Sequence, residues 1–493
     1  MPALHLDSVS FAYTSAVEVI RDVSFDLGPG WHGLVGENGA GKSTLLGLIR
    51  GDLAPSSGRV SIEPSGALVA HCPQVVDQLT PEVEEWATSW EAADAALRSR
   101  LQLDPTDLER WETLSPGERR RWQLATAIAR RPDVMLVDEP TNHLDTGASE
   151  QLIAELAAFD GVGVIVSHDR DLLDRLTTTT LRMRGGEVEV WHGPYSVASE
   201  EWERADQELL GEVERLKSER DRVRRRMAER RRRLEERQQR DRSERRRADQ
   251  ADSDARSMLA KGRQEFAARA EARRVGVEAR RVERLERELS RKRIERRRGG
   301  PIRIDAETAR RPVLLSHDGP IVAGGRVVHP GVAVTIERTT RLRIRGANGS
   351  GKSTLLTSLV GNAPIPADRI LWLPQELTAG QRRSLTDGVR RLPAGERGNV
   401  MAIAARLGLD PGRVLDSELP SPGEARKLQL AAGLGRGVWV AVLDEPTNHF
   451  DLPSTERLED ALAAYEGALV LVTHDDRFAE ALIDEEISLD RPT

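Results

Sequence analysis

At both ends of the chain, short continuous apolar runs such as Val134–Val137 and Val162–Val166 alternate with longer stretches of helical composition. Strands buried on both faces read this way, so the pattern predicts parallel sheets with crossover helices, the α/β class. The middle of the chain has a different rhythm. Leu209, Val213, Leu216, Val223, Met227 and Leu234 recur at alternating three- and four-residue steps, with Arg220 and Arg230 filling the gaps, which is a heptad seam. A second seam runs through Ala268, Val275, Val282, Leu285 and Leu289, and Gln238–Ser257 between them holds no large apolar residue. The seams predict two antiparallel helices joined at a polar tip near 240–260; arms of about 40 to 45 residues would reach roughly 60 to 65 Å. A solvated linker of mixed charge is the competing reading, but it gives no reason for the seams to persist.

The two ends repeat each other. GENGAGKSTLL from Gly36 recurs as GANGSGKSTLL from Gly346, LSPGE from Leu114 as SPGE from Ser421, VDEPTNHLD from Val137 as LDEPTNHFD from Leu443, and VSHD from Val166 as VTHD from Val472. Spacing is kept: 24 residues separate Ser115 from Glu139 and Ser421 from Glu445, and 29 separate Glu139 from His168 and Glu445 from His474. Two copies of one domain, 1–195 and 301–493, are therefore expected to flank a helical segment, 196–300.

Charge sharpens this division. The formal net charge of −7 hides a basic middle, because 201–300 holds 34 Lys and Arg against 23 Asp and Glu, so that segment is +11 and the remainder −18. The same hundred residues contain no proline and only two aromatics, Trp202 and Phe266, which excludes an ordinary folded core there. At 493 residues, 39% of them hydrophobic, the chain is long enough for about three domains. The single cysteine, Cys72, excludes a disulfide framework and a cysteine-based zinc site and fits a reducing compartment. No stretch approaches the roughly 18 apolar residues of a spanning helix, and MPALHLDSVSFAY has no basic region followed by an apolar core. A cytoplasmic chain with no membrane partner is expected.

Gly36–Ser43 and Gly346–Ser353 both fit GxxxxGK[ST], each after a strand-like run (Trp31–Val35, Arg341–Arg345) and ahead of a helix. In such a loop the glycines, here Gly36, Gly39, Gly41 and Gly346, Gly349, Gly351, let backbone N–H groups approach phosphate oxygens, and the helix dipole adds to the attraction. Asn38, Thr44, Asn348 and Thr354 complete the candidate loops; Lys42 and Lys352 would reach terminal phosphates, and Ser43 and Ser353 would ligate Mg²⁺. One glycine-rich turn of this kind arises by chance; two in register do not. Apolar runs ending in Asp138-Glu139 and Asp444-Glu445 supply an aspartate for the Mg²⁺ shell and a glutamate to position or deprotonate an attacking water. A lone histidine after an apolar run is ordinarily a plain surface or core residue. His168 and His474 differ in sharing both their spacing and a following Asp, whereas His192 and His317 stay unassigned.

In this order the motifs resemble those of ATP-binding cassette ATPases, and the duplicated set with EPTNHLD and EPTNHFD resembles the ABC-F subgroup; the resemblance covers nearly the whole chain. It implies two P-loop ATP-binding cassette domains joined by a long antiparallel α-helical coiled-coil hairpin, an intramolecular pair within a monomer, with ATP and Mg²⁺ as ligands. The cassettes of that family close face to face. Lys42 would then face Ser421, Gly423 and Glu424, and Lys352 would face Ser115, Gly117 and Glu118. Gln74 and Gln375 match the glutamine near metal and attacking water, His168 and His474 the switch histidine on the γ-phosphate, and Asp145 and Asp451 the D-loop. Three departures stand out. Both signatures read SPGE where the family commonly has SGGE or SGGQ, and the proline removes one backbone donor. Tyr13 is placed to stack on a base in the first cassette, whereas Pro312–Arg326 offers no aromatic to the second. No inserted arm interrupts the first cassette.

What the resemblance implies about function is a Mg²⁺-dependent ATPase whose hairpin enters the ribosome near tRNA and the peptidyl-transferase region. A transporter motor would need membrane partners and leaves the charged hairpin unexplained; DNA-maintenance ATPases interrupt one cassette with their coil instead of joining two. The compact cassettes and NHFDLPSTERLEDAL look most like the branch that protects ribosomes from large-subunit antibiotics. A housekeeping translation factor and a nucleic-acid-binding twin-cassette ATPase stay open as alternatives. The acidic cassettes would repel RNA, so contacts to rRNA and tRNA should come from the basic arm, with Arg245, Arg246 and Arg247 as phosphate contacts and Met258 and Leu259 as apolar residues near the tip. A solvated charged helix face is the plainer reading of those arginines.

Overall fold

The computed structural model describes Met1 to Leu489 except for 15–16, 75, 77, 142–143, 145, 249–255, 292–308, 310, 348 and 418; the side chains of 17, 146, 237–238, 241–248, 256–269, 271–272, 290–291 and 411 also lie outside the described residues. The chain divides into two units, Met1–Ala198 with Arg297–Thr493, and Ser199–Arg296.

In the first half of the larger unit, six strands run in the order Val69–Cys72, Val134–Asp138, Val162–Val166, Gly30–Gly36, Thr177–Arg184, Glu187–Trp191. The first five are parallel and the last pairs antiparallel. The second half repeats the arrangement with five parallel strands, Ile370–Leu373, Val440–Asp444, Ala468–Val472, Arg341–Arg345 and Glu485–Ser488. Leu34, Val134, Leu136, Val162 and Val164 are inaccessible to solvent, as are Ile344, Val440, Val442 and Val470, which is why these runs do not alternate with polar residues. Antiparallel strands flank each half: Ala3–Thr14 between Val17–Leu27 and Ser57–Glu63 in the first, and Val313–Ala323 with Arg326–Glu337 in the second. Because the strands before Gly36, Glu139 and His168 are parallel neighbours, the loops that follow them emerge at the same edge.

The smaller unit is built from the helices Tyr195–Ala248 and Arg256–Arg291. Val213, Val223, Val282 and Leu285 are buried, and Leu209, Leu216, Met227, Leu234, Val275 and Leu289 half-buried, so the buried stripe is the pair of seams. Ion pairs Arg281–Glu219 (2.6 Å), Arg230–Glu278 (3.5 Å) and Arg224–Glu286 cross between the helices, centred on 249–255 as antiparallel packing requires. The first helix exceeds its expected arm because it starts at Tyr195, inside the larger unit. Among the described residues no helix is long and apolar enough to cross a membrane.

Candidate active sites

Each phosphate-loop helix begins at its lysine. Gly41 and Gly351 precede Lys42–Arg50 and Lys352–Gly361 at φ 107° and 99°, left-handed values that favour glycine at the helix N-cap. Lys42 Nζ donates to the Gly36 and Glu37 carbonyls at 2.7 and 3.2 Å, and Lys352 Nζ to those of Gly346 and Ala347 at 2.5 and 3.0 Å. Burial holds the Lys42 ammonium below its ordinary range, opposed by the charges of Asp451, Glu139, Asp138 and Glu37. Tyr13 lines the same site with its hydroxyl 3.1 Å from Thr44 Oγ1 and its ring edge-on to Phe11; it is 63% exposed. In the second cassette Ala323 lines the cleft from the corresponding strand hairpin.

Glu139 and Glu445 sit immediately past their strands at φ 54° and 48°, conformations that non-glycine residues seldom adopt. Their N–H groups donate to Val166 O at 2.7 Å and Val472 O at 2.9 Å, which extends each strand pairing by one residue and fixes the carboxyl against the neighbouring histidine. The His168 N–H donates to Glu139 Oε2 at 3.2 Å; His168 Nε2 lies 3.2 Å from Oε1, and His474 Nε2 lies 3.5 Å from Glu445 Oε1. Burial, and secondarily the charge of the adjacent Asp138 or Asp444, pushes both glutamates up to about 8. Burial, reinforced by Lys42, lowers His168 to about 3, so the imidazole is neutral.

The donor set facing the cleft is oxygen-rich. Asp444 Oδ2 and the Oε1 atoms of Glu139 and Glu445 are buried without a hydrogen-bond partner among the described residues, and Ser353 bonds the Asp444 carboxylate. With Ser43, Asp138, Gln74 and Gln375 on the same walls, this fits Mg²⁺, which takes one or two carboxylates and completes its shell with water and phosphate oxygens.

The signature helices Pro116–Ala129 and Pro422–Leu434 start with complete capping boxes. Ser115 Oγ accepts from Glu118 N at 3.2 Å, and Glu118 Oε2 accepts from the Ser115 N–H and hydroxyl, both at 2.7 Å; Ser421 and Glu424 repeat this at 3.3, 2.9 and 2.8 Å. Proline therefore occupies the first helical position, where its missing N–H is least costly. Ser115, Gly117, Ser421 and Gly423 line the cleft, but Glu118 and Glu424 do not: their carboxylates are turned onto the capping serines.

The cassettes meet at the first phosphate loop. Asn38 N donates to Asp451 Oδ2 at 2.8 Å and Asn38 Nδ2 to the His449 carbonyl at 3.1 Å, while Arg457 reaches Glu37 at 3.4 Å. A side chain on Gly423 would stand 3.1 Å from that same His449 carbonyl, so the second signature and the first phosphate loop flank one residue. The reciprocal pair, Asn348 and Asp145, lies outside the described residues. A single cleft of about 1670 Å³ takes in Gly39, Gly41, Lys42, Ser43, Thr44 and His168 together with Gly349, Gly351, Lys352, Ser353, Thr354 and His474. Gly36 and Gly346 lie behind it, ending their strands as positive-φ turns.

A family model described as ABC transporter matches 20–142 and 330–448. The chain is 30% identical to the tylosin resistance ATP-binding protein TlrC of Streptomyces fradiae over 99% of its own length and 97% of that protein. It is 29% identical to the ribosome protection protein VmlR of Bacillus subtilis (92% and 81%) and 30% identical to the ATP-binding protein Uup of Caulobacter vibrioides (93% and 72%). This chain belongs to the ABC-F family. Its two cassettes are ATPase domains of the ATP-binding cassette type.

Sequence reasoning missed two arginines in this ABC-F chain. Arg120 and Arg426 are almost wholly buried, each five residues past its signature serine. Arg120 donates to the Pro73 and Asp138 carbonyls; Arg426 donates to Pro374 O (3.1 Å), Gln375 O (2.5 Å), Asp444 O (2.9 Å) and Glu445 O. Each ties the signature helix to the glutamine loop and the acidic strand end of its own cassette. Their shared offset in the two copies was the available signal.

Proposed function

We propose that this protein is a cytoplasmic, monomeric ATPase that binds the ribosome with its cassettes closed on ATP and protects it from large-subunit antibiotics. The observation that carries the ATP-gated part is the Asn38–Asp451 contact, which joins the phosphate loop of one cassette to the D-loop of the other, beside the second signature. Residues 1–195 and 301–493 act as the cassettes and 196–300 as a coiled-coil hairpin whose basic surface meets rRNA and tRNA near the peptidyl-transferase region. Support for ribosome protection comes from the full-length similarity to TlrC and VmlR and from the net charge of +11 on 201–300.

In each site the lysine leaves its loop carbonyls for the terminal phosphates, and the ionised glutamate orients the water and takes its proton. His168, which is neutral, and His474 stand where they can donate to a γ-phosphate oxygen. Bound Mg²⁺, held by Ser43 and Asp138 or Ser353 and Asp444 beside Gln74 or Gln375, supplies charge neutralisation on the phosphates.

A second reading is a translation-factor ATPase without drug protection, since the similarity also extends to Uup, whose name carries ATP binding but no resistance. One pair of measurements separates them. Glu139→Gln with Glu445→Gln should cosediment with ribosomes in ATP and not in ADP, and the wild type should restore in vitro translation against at least one large-subunit antibiotic. Equal sedimentation in the two nucleotides overturns ATP gating; absent protection across a drug panel leaves the translation-factor reading.

A further inference from the structure

The two switch loops are held in place by different means. In the first cassette the residue two past His168 is Arg170, which crosses to the other cassette to reach Glu459 at 2.6 Å and Asp475 at 3.9 Å. In the second cassette the residue two past His474 is Asp476, which turns inward to Arg343 at 2.5 Å. Arg343 lies in the interior strand Arg341–Arg345, paired between Leu471 and Glu486, and is buried. Its guanidinium also donates to the Thr473 carbonyl, immediately before His474, at 2.9 Å, and to Glu486 at 3.0 Å. Arg345, two residues on and therefore on the same face of the strand, adds contacts to Asp476 and Glu486 at 3.4 and 3.5 Å. The equivalent of Arg343, counted back from the first phosphate loop, is Gly33; a Cβ there would meet Leu173 Cδ2 at 3.0 Å, so the first cassette packs an apolar side chain where the second places an arginine.

We propose that Arg343 is a positioning residue for His474: it clamps the switch loop of the second cassette from within, a hold that the first loop lacks, in addition to the contacts across the interface that both loops make, Arg170 to Glu459 and Arg477 to Asp174 and Ser196. A planar guanidinium bonded at once to a loop carbonyl and to the first residue of the following helix fixes the backbone on both sides of the histidine. The inference rests on the ATPase reading of the second site, and its test separates the two.

Arg343→Met is placed in two parents, Glu139→Gln, in which only the second site turns over, and Glu445→Gln, in which only the first does. The expected result is about a tenfold loss of kcat in the first parent with KM for ATP within about twofold, and turnover within about twofold in the second parent, which also certifies the fold. Arg343→Lys should recover part of the loss, and Asp476→Asn should show a smaller loss confined to the same parent. Backbone amide exchange supplies a readout that needs no hydrolysis: the 473–476 loop should exchange about tenfold faster in Arg343→Met, with 167–170 unchanged. Equal loss in both parents, or unchanged exchange at 473–476, overturns the proposal. A Glu139→Gln parent that never turns over would strike the two-site ATPase reading, and the exchange result would still decide the role of Arg343.

Discussion

Replacing Glu139 and Glu445 by glutamine should make the nucleotide-free protein more stable, and increasingly so as pH rises. Both carboxyls are raised from 4.5 to about 8 by burial beside a second carboxyl. Between those values the native state holds protons that the unfolded chain releases, so stability is fully present below about 4.5 and is lost as pH climbs through about 8. At about 1.4 kcal/mol per pKa unit, raising pH from about 6 to about 9 costs the wild type roughly 2 to 3 kcal/mol per site. Glutamine has the same shape, keeps an oxygen to accept the His168 N–H, and carries no charge to desolvate. Urea unfolding midpoints of both proteins at about pH 6, 7.5 and 9, without nucleotide, would show the gap widening. Parallel curves across that range would refute the argument, because they would mean that the glutamates are solvated or paired in the native state.

Lys42→Ala with Lys352→Ala should abolish ATP binding, measured by equilibrium dialysis, and near-wild-type turnover would contradict the site assignment. Tyr13→Ala should weaken nucleotide binding at the first site alone, since base stacking is worth on the order of 1 to 3 kcal/mol and Ala323 has no ring to lose at the second; site-specific fluorescent nucleotides would read the difference. Neutralising Arg245, Arg246 and Arg247 should weaken ribosome binding and flatten its salt dependence, whereas Met258→Ala with Leu259→Ala should spare ATP-dependent binding and remove drug protection; the side chains of all five lie outside the described residues.

Chemistry made most of the cleft legible. Phosphate contact demands glycine, lysine and a hydroxyl at set offsets, and water activation demands a carboxylate at a strand end, so Lys42, Ser43, Asp138 and Glu139 announce themselves in both copies. The burial of Val213, Val223, Val282 and Leu285 agrees with the period that helix packing imposes. Arg120 and Arg426 left only their shared offset as a signal and Arg343 left none, since an arginine on a helix or strand normally lies on a solvated face and only the tertiary fold reveals the carbonyls that receive it. Glu118 and Glu424 were expected at the nucleotide, but an S-x-x-E sequence before a helix is also a capping box, and that local bond claims the carboxylate. The left-handed φ of Glu139 and Glu445 left no trace in sequence, because glutamate has no preference for that conformation.

Several of the contacts between cassettes come from one short helix, Leu452–Ala463, and its N-cap. Asp451 caps its N-terminus by accepting from Ser454 N at 2.9 Å while its other oxygen takes the Asn38 N–H. From the next turns Glu456 accepts from Tyr195 Oη at 2.7 Å, Arg457 meets Glu37, and Glu459 meets Arg170. Tyr195 is buried and opens the helix that continues to Ala248. A helix of 12 residues held by internal hydrogen bonds moves as a body, so a displacement of Asp451 large enough to release the first phosphate loop also displaces Glu456 and strains its bond to Tyr195. The Arg170–Glu459 pair, with side chains only 7% and 22% exposed, opposes that separation, although opening hydrates both partners and so costs less than removing one of them. Opening at the first site is therefore coupled mechanically to Tyr195 at the start of the long helix, and the switch loop of the second site, clamped by Arg343, reaches the same place through Arg477, which bonds Ser196 at 2.7 Å and Asp174 at 3.2 Å.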